Sequence, residues 1–340
     1  MVALPVSTDP AAPLPQRDAP LVWVLHDGKA GMASQSLGLA EATGFPFIEK
    51  SLNVRVPWAH LPPQMWLAPL AAVSDAGLPL RPPWPDLVIG CGRNTAAPAL
   101  AIRRASHGRT VAAQIQDPGI GRGTFDLMVV PEHDHLRGPR VITSKGAINR
   151  VTPQKLTAAR ALFPELAMLP RPILGVLIGG ANRAYRLGLD RLGEIADSIA
   201  ANVAASRGSV VLTPSRRTGE EGLALLRGRL QGLPAAIWDM TGDNPYYAYL
   251  AVADAFLVTA DSVSMISEAA ATGKPVHVIE LDGGDPKFTR FHRTMQEAGI
   301  TRRFTGRVES WTYQPLDDTA RAGAALRTLV LDRLQARRAT

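Results

Sequence analysis

The chain has 340 residues, 46% hydrophobic and 20% charged, a balance that fits a globular protein but is too long for one ordinary core. Its net charge of +7, carried mainly by arginine, favours anionic partners such as phosphate-bearing small molecules or lipid head groups. The single cysteine, Cys91, excludes an internal disulfide and a cysteine-built metal site; nucleic-acid signatures are absent, and no apolar run approaches the ~20 residues of a spanning helix.

Residues 1–19 are rich in proline and alanine and lack a basic start or a continuous apolar stretch. They read as a disordered tail, not a signal peptide, and the chain as cytoplasmic. A buried-strand run, Leu21–Leu25, leads into His26-Asp27-Gly28-Lys29-Ala30-Gly31, and helical spacing from Met32 to Thr43 stops at Gly44. Lys29 and Gln35 are the polar groups of this βα loop suited to an acceptor or a phosphate; the GxxxxGK[ST] spacing of a Walker loop is missing.

Ser51–Pro85 is crowded with proline and sets Trp58, Met65, Trp66, Leu67 and Trp84 beside Arg55 and Arg81. Such a stretch is either a packed irregular insertion or an edge that makes peripheral contact with an anionic membrane, here the inner membrane. The strand Asp86–Gly90 ends in Gly90-Cys91-Gly92-Arg93-Asn94-Thr95 and a helix through Arg104. Thr95 replaces the third glycine of a dinucleotide fingerprint and no acidic residue ends the next strand at the required distance, so a nicotinamide cofactor is not supported. Arg93 and Asn94 still point from a helix start toward the strand ends. Cys91, ending an apolar strand, reads as a buried inert thiol.

Strands over Thr110–Gln116 and Leu127–Val130 deliver Asp117 and then Glu132-His133-Asp134-His135. That cluster matches no helical HxxxH pattern and no metal is expected; it reads as a solvated loop or, through His133 or Asp134, as a base or acceptor contact.

A helix over Thr152–Phe163 followed by Pro164, Pro170 and Pro172 marks residues 151–172 as the join between a first domain, 20–150, and a second, 173–315. The second restarts with strand Ile173–Ile178 and the turn Gly179-Gly180-Ala181-Asn182, then helix Asp190–Ala205 and strand Ser209–Thr213. Ser215, Arg216 and Arg217 follow that strand as a candidate diphosphate clamp. Helix Glu220–Leu230, strand Ala236–Trp238 and helix Pro245–Ala253 precede the strand Ala255–Val258. Asp261-Ser262-Val263-Ser264 then opens an alanine-rich helix that ends at Gly273-Lys274-Pro275. Ser262 and Ser264 can cap that helix, and its free N–H groups and positive dipole end suit a diphosphate. Glu268, about one and a half turns in, can accept two ribose hydroxyls. Beyond the strand Val276–Leu281, Asp282 and Lys287 emerge on the same edge, facing a sugar. The terminal segment 316–340 is expected to form a helix, Asp317–Arg337, packing back on the first domain.

These elements give an α/β fold: two Rossmann-like domains facing across a cleft. That plan resembles the GT-B glycosyltransferases. Val258–Val278 looks like the donor motif of the lipid-linked N-acetylglucosaminyltransferase of peptidoglycan synthesis, with Glu268 at the ribose-binding glutamate, Ser262 and Ser264 at the phosphate turn, and Gly179 and Gly180 at the glycine pair opening the second domain. Over its length the chain is most similar to the bacterial branch of the mitochondrial fission "elongated mitochondria" family, through HDGKAGMASQ, GCGRNTA, QIQDP, PEHD, TPSRRT and ADSVSMISEA. Plant members of that family are adaptors that recruit a dynamin-related GTPase. The resemblance implies two readings: a metal-independent, cofactor-free glycosyltransferase passing sugar from a nucleotide-diphosphate sugar to an acceptor, or a non-catalytic interaction protein that keeps the fold. The transferase resembled has a histidine in its glycine-rich first loop where DGKAG has none, which leaves Asp27, Asp117 and His133 as candidate bases.

Overall fold

A computed structural model describes residues 19–339, so all but the last residue of the expected N-terminal tail lies outside the described residues. The first half comprises β1 (Val22–His26), α1 (Ala30–Thr43), β2 (Phe47–Val54), β3 (Val73–Asp75), β4 (Leu87–Cys91), α2 (Arg93–Ala105), β5 (Val111–Ile115), β6 (Leu127–Pro131) and β7 (Val141–Ser144). They form one seven-stranded sheet in the order β3-β2-β1-β4-β5-β6-β7, parallel except for the β2–β3 edge. β1, β4 and β5 are buried along their whole length and are apolar apart from His26 and Gln114, because helices or insertions cover both faces of a parallel sheet.

The second half follows with α3 (Pro153–Leu162), β8 (Ile173–Ile178), β9 (Tyr185–Arg186), α4 (Leu189–Ser206), β10 (Ser209–Pro214), α5 (Gly219–Arg229), β11 (Ala235–Ile237), α6 (Tyr246–Val252), β12 (Ala255–Thr259), α7 (Val263–Ala270), β13 (Val276–Ile279), β14 (Asp282–Gly283), α8 (Pro286–Glu297) and β15 (Thr301–Arg303). Its six-stranded sheet is parallel throughout, in the order β11-β10-β8-β12-β13-β15. α9 (Asp318–Arg338) closes the described chain and lies on the first half. Its Ala322, Leu326 and Val330 join the core that holds Leu37 and Leu39 of α1, and a Cβ on Gly323 would stand only 2.4 Å from that of Ala42.

Strand order fixes where a ligand can sit. In the first sheet the order turns at β1/β4, and in the second at β8/β12. Open parallel sheets bind ligands outside the strand carboxyl ends at such switch points, where consecutive loops diverge to opposite faces and leave a crevice. The loops carrying Asp27 and Asn94 leave the first switch point; those carrying Gly179, Gly180 and Ser262 leave the second.

One region differs from expectation. The segment 51–85 begins as strand: β2 runs to Val54 and pairs with β3, with 3-10 turns at Trp58–His60 and Pro63–Met65 between them. Its tryptophans do not all face outward. The Trp66 indole is buried and donates to the carbonyls of Trp58 and Leu61, 3.1 Å each, and Trp84 packs edge-on against Trp23. The join is also packed: Leu156, Ala159, Phe163 and Leu166 lie against the second core.

Candidate functional site

At the second switch point the glycine pair is tied to its neighbours. Gly179 N–H donates to Thr259 Oγ1 (2.8 Å) and Gly180 N–H to Asp261 Oδ2 (3.1 Å). The Asp261 side chain is wholly buried and pairs with Arg217 at 2.7 Å. A Cβ at Gly179 would fall 2.2 Å from Asp261 Oδ2, and one at Gly180 2.5 Å from the Arg217 carbonyl, so both positions require glycine. Ser215 Oγ and Thr218 Oγ1 each donate to the Gly179 carbonyl at 2.7 Å. Of the expected clamp, Ser215 and Arg217 therefore stitch the two loops together. Arg216 is exposed, with no polar partner among the described residues.

α7 presents its first turn to α1. Ser262 caps it, accepting from Met265 N–H at 3.4 Å, and Ser264 Oγ lies 3.5 Å from where a Cβ on Gly31 would stand. Glu268 reaches the gap between the halves: Oε1 accepts from Ser34 Oγ of α1 at 3.5 Å, and Oε2 from the Tyr246 hydroxyl at 2.5 Å. Burial raises its pKa to about 7 against the opposing pull of those hydroxyls. Protein hydroxyls thus occupy both oxygens of the carboxylate.

Across the gap, Asp27 Oδ2 accepts from Lys29 Nζ (2.5 Å) and Asn94 Nδ2 (3.2 Å), while its buried Oδ1 has no partner. Gln35 meets Gln116 at 3.3 Å. Arg93 donates to Gln64 at 3.1 Å. His26 faces away from this cluster: its Nδ1 accepts from Gly28 N–H, so Nε2–H donates to Glu49 at 2.7 Å.

The other two candidate bases stand elsewhere. Asp117 is bound by Arg122 (2.8 and 2.5 Å) and by Gly119 N–H; burial pulls its pKa up, but these partners prevail and hold it below the usual carboxylate range. His133 does not lie in a solvated loop. It is buried on a 3-10 turn, edge-on to Phe291, and its carbonyl accepts from Arg290 of α8 at 3.1 Å. Burial pushes the imidazole down to about 4, so at neutral pH it is uncharged and a weak base. Lys287, expected to face a sugar, instead bridges the halves to Asp134 at 3.1 Å. Asp282 is exposed on β14, beside Arg186.

The structure thus gathers Asp27, Lys29 and Asn94 on one side, with Gln35 beside Gln116. On the other side stand Gly179, Gly180, Ser215 and Arg217 around Asp261, and Ser262, Ser264 and Glu268 along α7. Sequence reading missed Asp261, Tyr246 and Ser34. Asp261 carried a usable signal, a carboxylate directly after an apolar strand. Tyr246 and Ser34 carried none, being 22 and 234 residues from the glutamate they touch. Two cavities, about 520 and 510 Å³, lie at α8 beside His292 and at the start of α5 beside Arg217; neither is lined by Glu268 or Asp27. Among the described residues no group of three or more His, Cys, Asp or Glu is placed to hold a metal ion. Cys91 is buried, which raises its thiol pKa and makes it inert.

A family model described as Mitochondrial fission ELM1 matches residues 30–330. The mitochondrial fission protein ELM1 of Arabidopsis thaliana is 37% identical over 271 residues, which is 72% of this chain and 63% of that protein, so the chain spans under two thirds of that relative's length. Among solved structures, the UDP-GlcNAc 2-epimerase of Methanocaldococcus jannaschii superposes with a TM-score of 0.51 at 12% identity, covering 92% of this chain and 99% of its own. A variant of Os79 from O. sativa in complex with UDP superposes with a TM-score of 0.50 at 12% identity, covering 90% and 94%. At such identities the likeness is one of fold, two Rossmann-like halves facing across a cleft on the GT-B plan.

Proposed function

This chain belongs to the mitochondrial fission ELM1 family, and from that premise we propose that its GT-B-like scaffold binds a nucleotide-diphosphate sugar on the second half and transfers the sugar to an acceptor held by the first. The observation that carries this reading is the placement of Glu268, a carboxylate that meets hydroxyl donors at the second switch point and faces the opposite half. Ribose hydroxyls replace those of Tyr246 and Ser34 when the gap opens. The α7 N-terminus with Ser262 and Ser264, and the unpartnered Arg216, take the diphosphate. Fixed positive charge there stabilises the leaving diphosphate without a metal. Asp27, whose buried Oδ1 lacks a donor, accepts the proton of the attacking acceptor hydroxyl; Asn94 and Lys29 hold its other oxygen in place. The solved neighbours, one in complex with UDP and one an epimerase of UDP-GlcNAc, support a nucleotide diphosphate as the ligand class.

Calorimetric titration of a panel of nucleotides and nucleotide sugars into the wild type and Glu268→Ala tests the proposal. Saturable binding lost in the variant supports it. A second reading, a non-catalytic interaction protein that keeps the fold, draws on the fact that Tyr246, Ser34 and Asp261 already satisfy groups a nucleotide would use. Silence across the whole panel favours that second reading.

A pH dependence follows from the Glu268 environment. With its pKa near 7, the carboxyl is mostly protonated at pH 6 and mostly ionised at pH 8, and the ionised form is the stronger acceptor. Nucleotide affinity should therefore rise by up to about tenfold from pH 6 to 8 in the wild type and stay flat in Glu268→Gln. Stability runs the other way. The folded state binds more protons than the unfolded between the ordinary value of 4.5 and about 7, so Glu268 costs stability as pH rises through that window. Chemical denaturation at pH 5 and pH 7.5 should show that loss in the wild type and not in Glu268→Gln.

A further inference from the structure

We infer that the projection from Arg55 to Leu67, with the adjoining turn at Leu78, docks this protein onto an anionic lipid bilayer. The inference stands on this surface alone and does not rest on the nucleotide reading. Leu67 is 99% exposed, Val56 74%, Leu78 70% and Met65 58%. Single exposed apolar side chains are ordinary, but several on one projection mark a contact surface.

The projection is held in shape from beneath. The buried Trp66 indole ties the Trp58–His60 turn to the next one through the carbonyls of Trp58 and Leu61. Arg55 N–H donates to the Ala72 carbonyl at 2.8 Å, and the Arg55 guanidinium reaches the Gly77 carbonyl, which brings the Leu78 turn alongside. The apolar tips are therefore presented by a fixed scaffold with little further ordering to lose on contact.

Charge selects the occupant. No acidic residue occurs from Lys50 to Ser74, while Arg55 and Arg81 are exposed and Arg93 reaches the same edge through Gln64 at 3.1 Å. The two carboxylates that flank that stretch are both engaged, Glu49 with His26 at 2.7 Å and Asp75 with Lys50 at 3.0 Å. A second copy of the chain on this face would bring like-charged arginines together. A bilayer bearing anionic head groups meets them with opposite charge while the leucine and methionine tips enter the boundary between head groups and acyl chains. Because Gln64 is joined to Arg93 at the start of α2, next to Asn94 and Asp27, docking turns the mouth of the gap toward the lipid surface.

Cosedimentation of the full chain with phosphatidylcholine vesicles, with and without phosphatidylglycerol, tests this. The wild type should partition onto the anionic vesicles, more weakly as salt rises. Met65→Asp with Leu67→Asp should lower that partition by at least about tenfold, because the tips no longer insert. Arg55→Gln with Arg81→Gln should remove the preference for anionic over neutral vesicles. All four positions are exposed, and thermal unfolding confirms that each variant is folded. Three results would overturn the inference: vesicles ignored by the wild type, equal partition of the Asp variant, or a dimer in sedimentation velocity that the Asp variant dissociates.

Discussion

Arg217→Ala is expected to destabilise the second half by about 3 kcal/mol, whereas Arg216→Ala, one residue away, should cost less than about 0.5 kcal/mol. Arg217 supplies the cation for Asp261, pairing with its Oδ2; the side chain is fully buried and its Oδ1 has no hydrogen-bond partner. Removing the arginine leaves an uncompensated buried carboxylate, a change that typically costs about 3 to 5 kcal/mol; the partial exposure of the guanidinium places this case at the low end. Arg217 also donates to the Gly180 carbonyl at 2.7 Å, so the loops after β8 and β10 lose a second tie. A melting temperature lower by roughly 6 to 12 °C would register the effect for a unit of this size. Arg217→Lys should recover only part of it, since the shorter side chain must carry its ammonium to the point where Arg217 Nη1 meets both Asp261 Oδ2 and the Gly180 carbonyl. Arg216→Ala should instead lower diphosphate affinity, by about tenfold, through loss of one charge-assisted contact.

The second large effect concerns Glu268. Glu268→Ala should weaken nucleotide binding by about a hundredfold, since two hydroxyl bonds to a charged acceptor contribute about 1.5 to 3 kcal/mol each before the loss of the competing protein hydroxyls is subtracted. The alanine variant also leaves the Tyr246 hydroxyl without its acceptor and a space behind it. Glu268→Gln separates the two consequences. It keeps an oxygen for Tyr246 and the volume of the side chain, so it should fold like the wild type and still bind nucleotide about tenfold more weakly. A glutamine variant with unchanged affinity would remove Glu268 from the binding site. Tyr246→Phe should strengthen nucleotide binding modestly, because the ligand no longer displaces a hydroxyl already seated on the carboxylate.

Much of the frame was legible in the sequence, and the reason is physical. Strands buried on both faces must be apolar throughout, so β1, β4, β8 and β12 stood out, and the polar loops after them could only be carboxyl-end loops. Glu268 was legible because Ser262 fixes where α7 starts and hence where the sixth residue on must point.

What was not legible is how polar groups partner at long range. Arg216 and Arg217 are indistinguishable as sequence; only the inward turn of the loop, with Gly180 close beneath it, sends one to Asp261 and leaves the other in solvent. His133 read as solvated because nothing local shows that α8 packs over it. α8 itself was open to detection, for Asp285 followed by Pro286 is a helix-start signature, and Asp285 does cap it, accepting from Lys287 and Phe288 N–H at 2.8 and 3.0 Å. β2 escaped because its exposed positions break the apolar run that marked the other strands.

In the proposed site Glu268 exchanges protein hydroxyls for ligand hydroxyls. A crystal structure of the protein grown with uridine diphosphate tests that exchange most directly. The diphosphate is expected at the α7 N-terminus beside Arg216, and the ribose hydroxyls on Glu268 with the Ser34 and Tyr246 hydroxyls moved off it. Nucleotide bound elsewhere, or bound there while Tyr246 still caps the carboxylate, would contradict it.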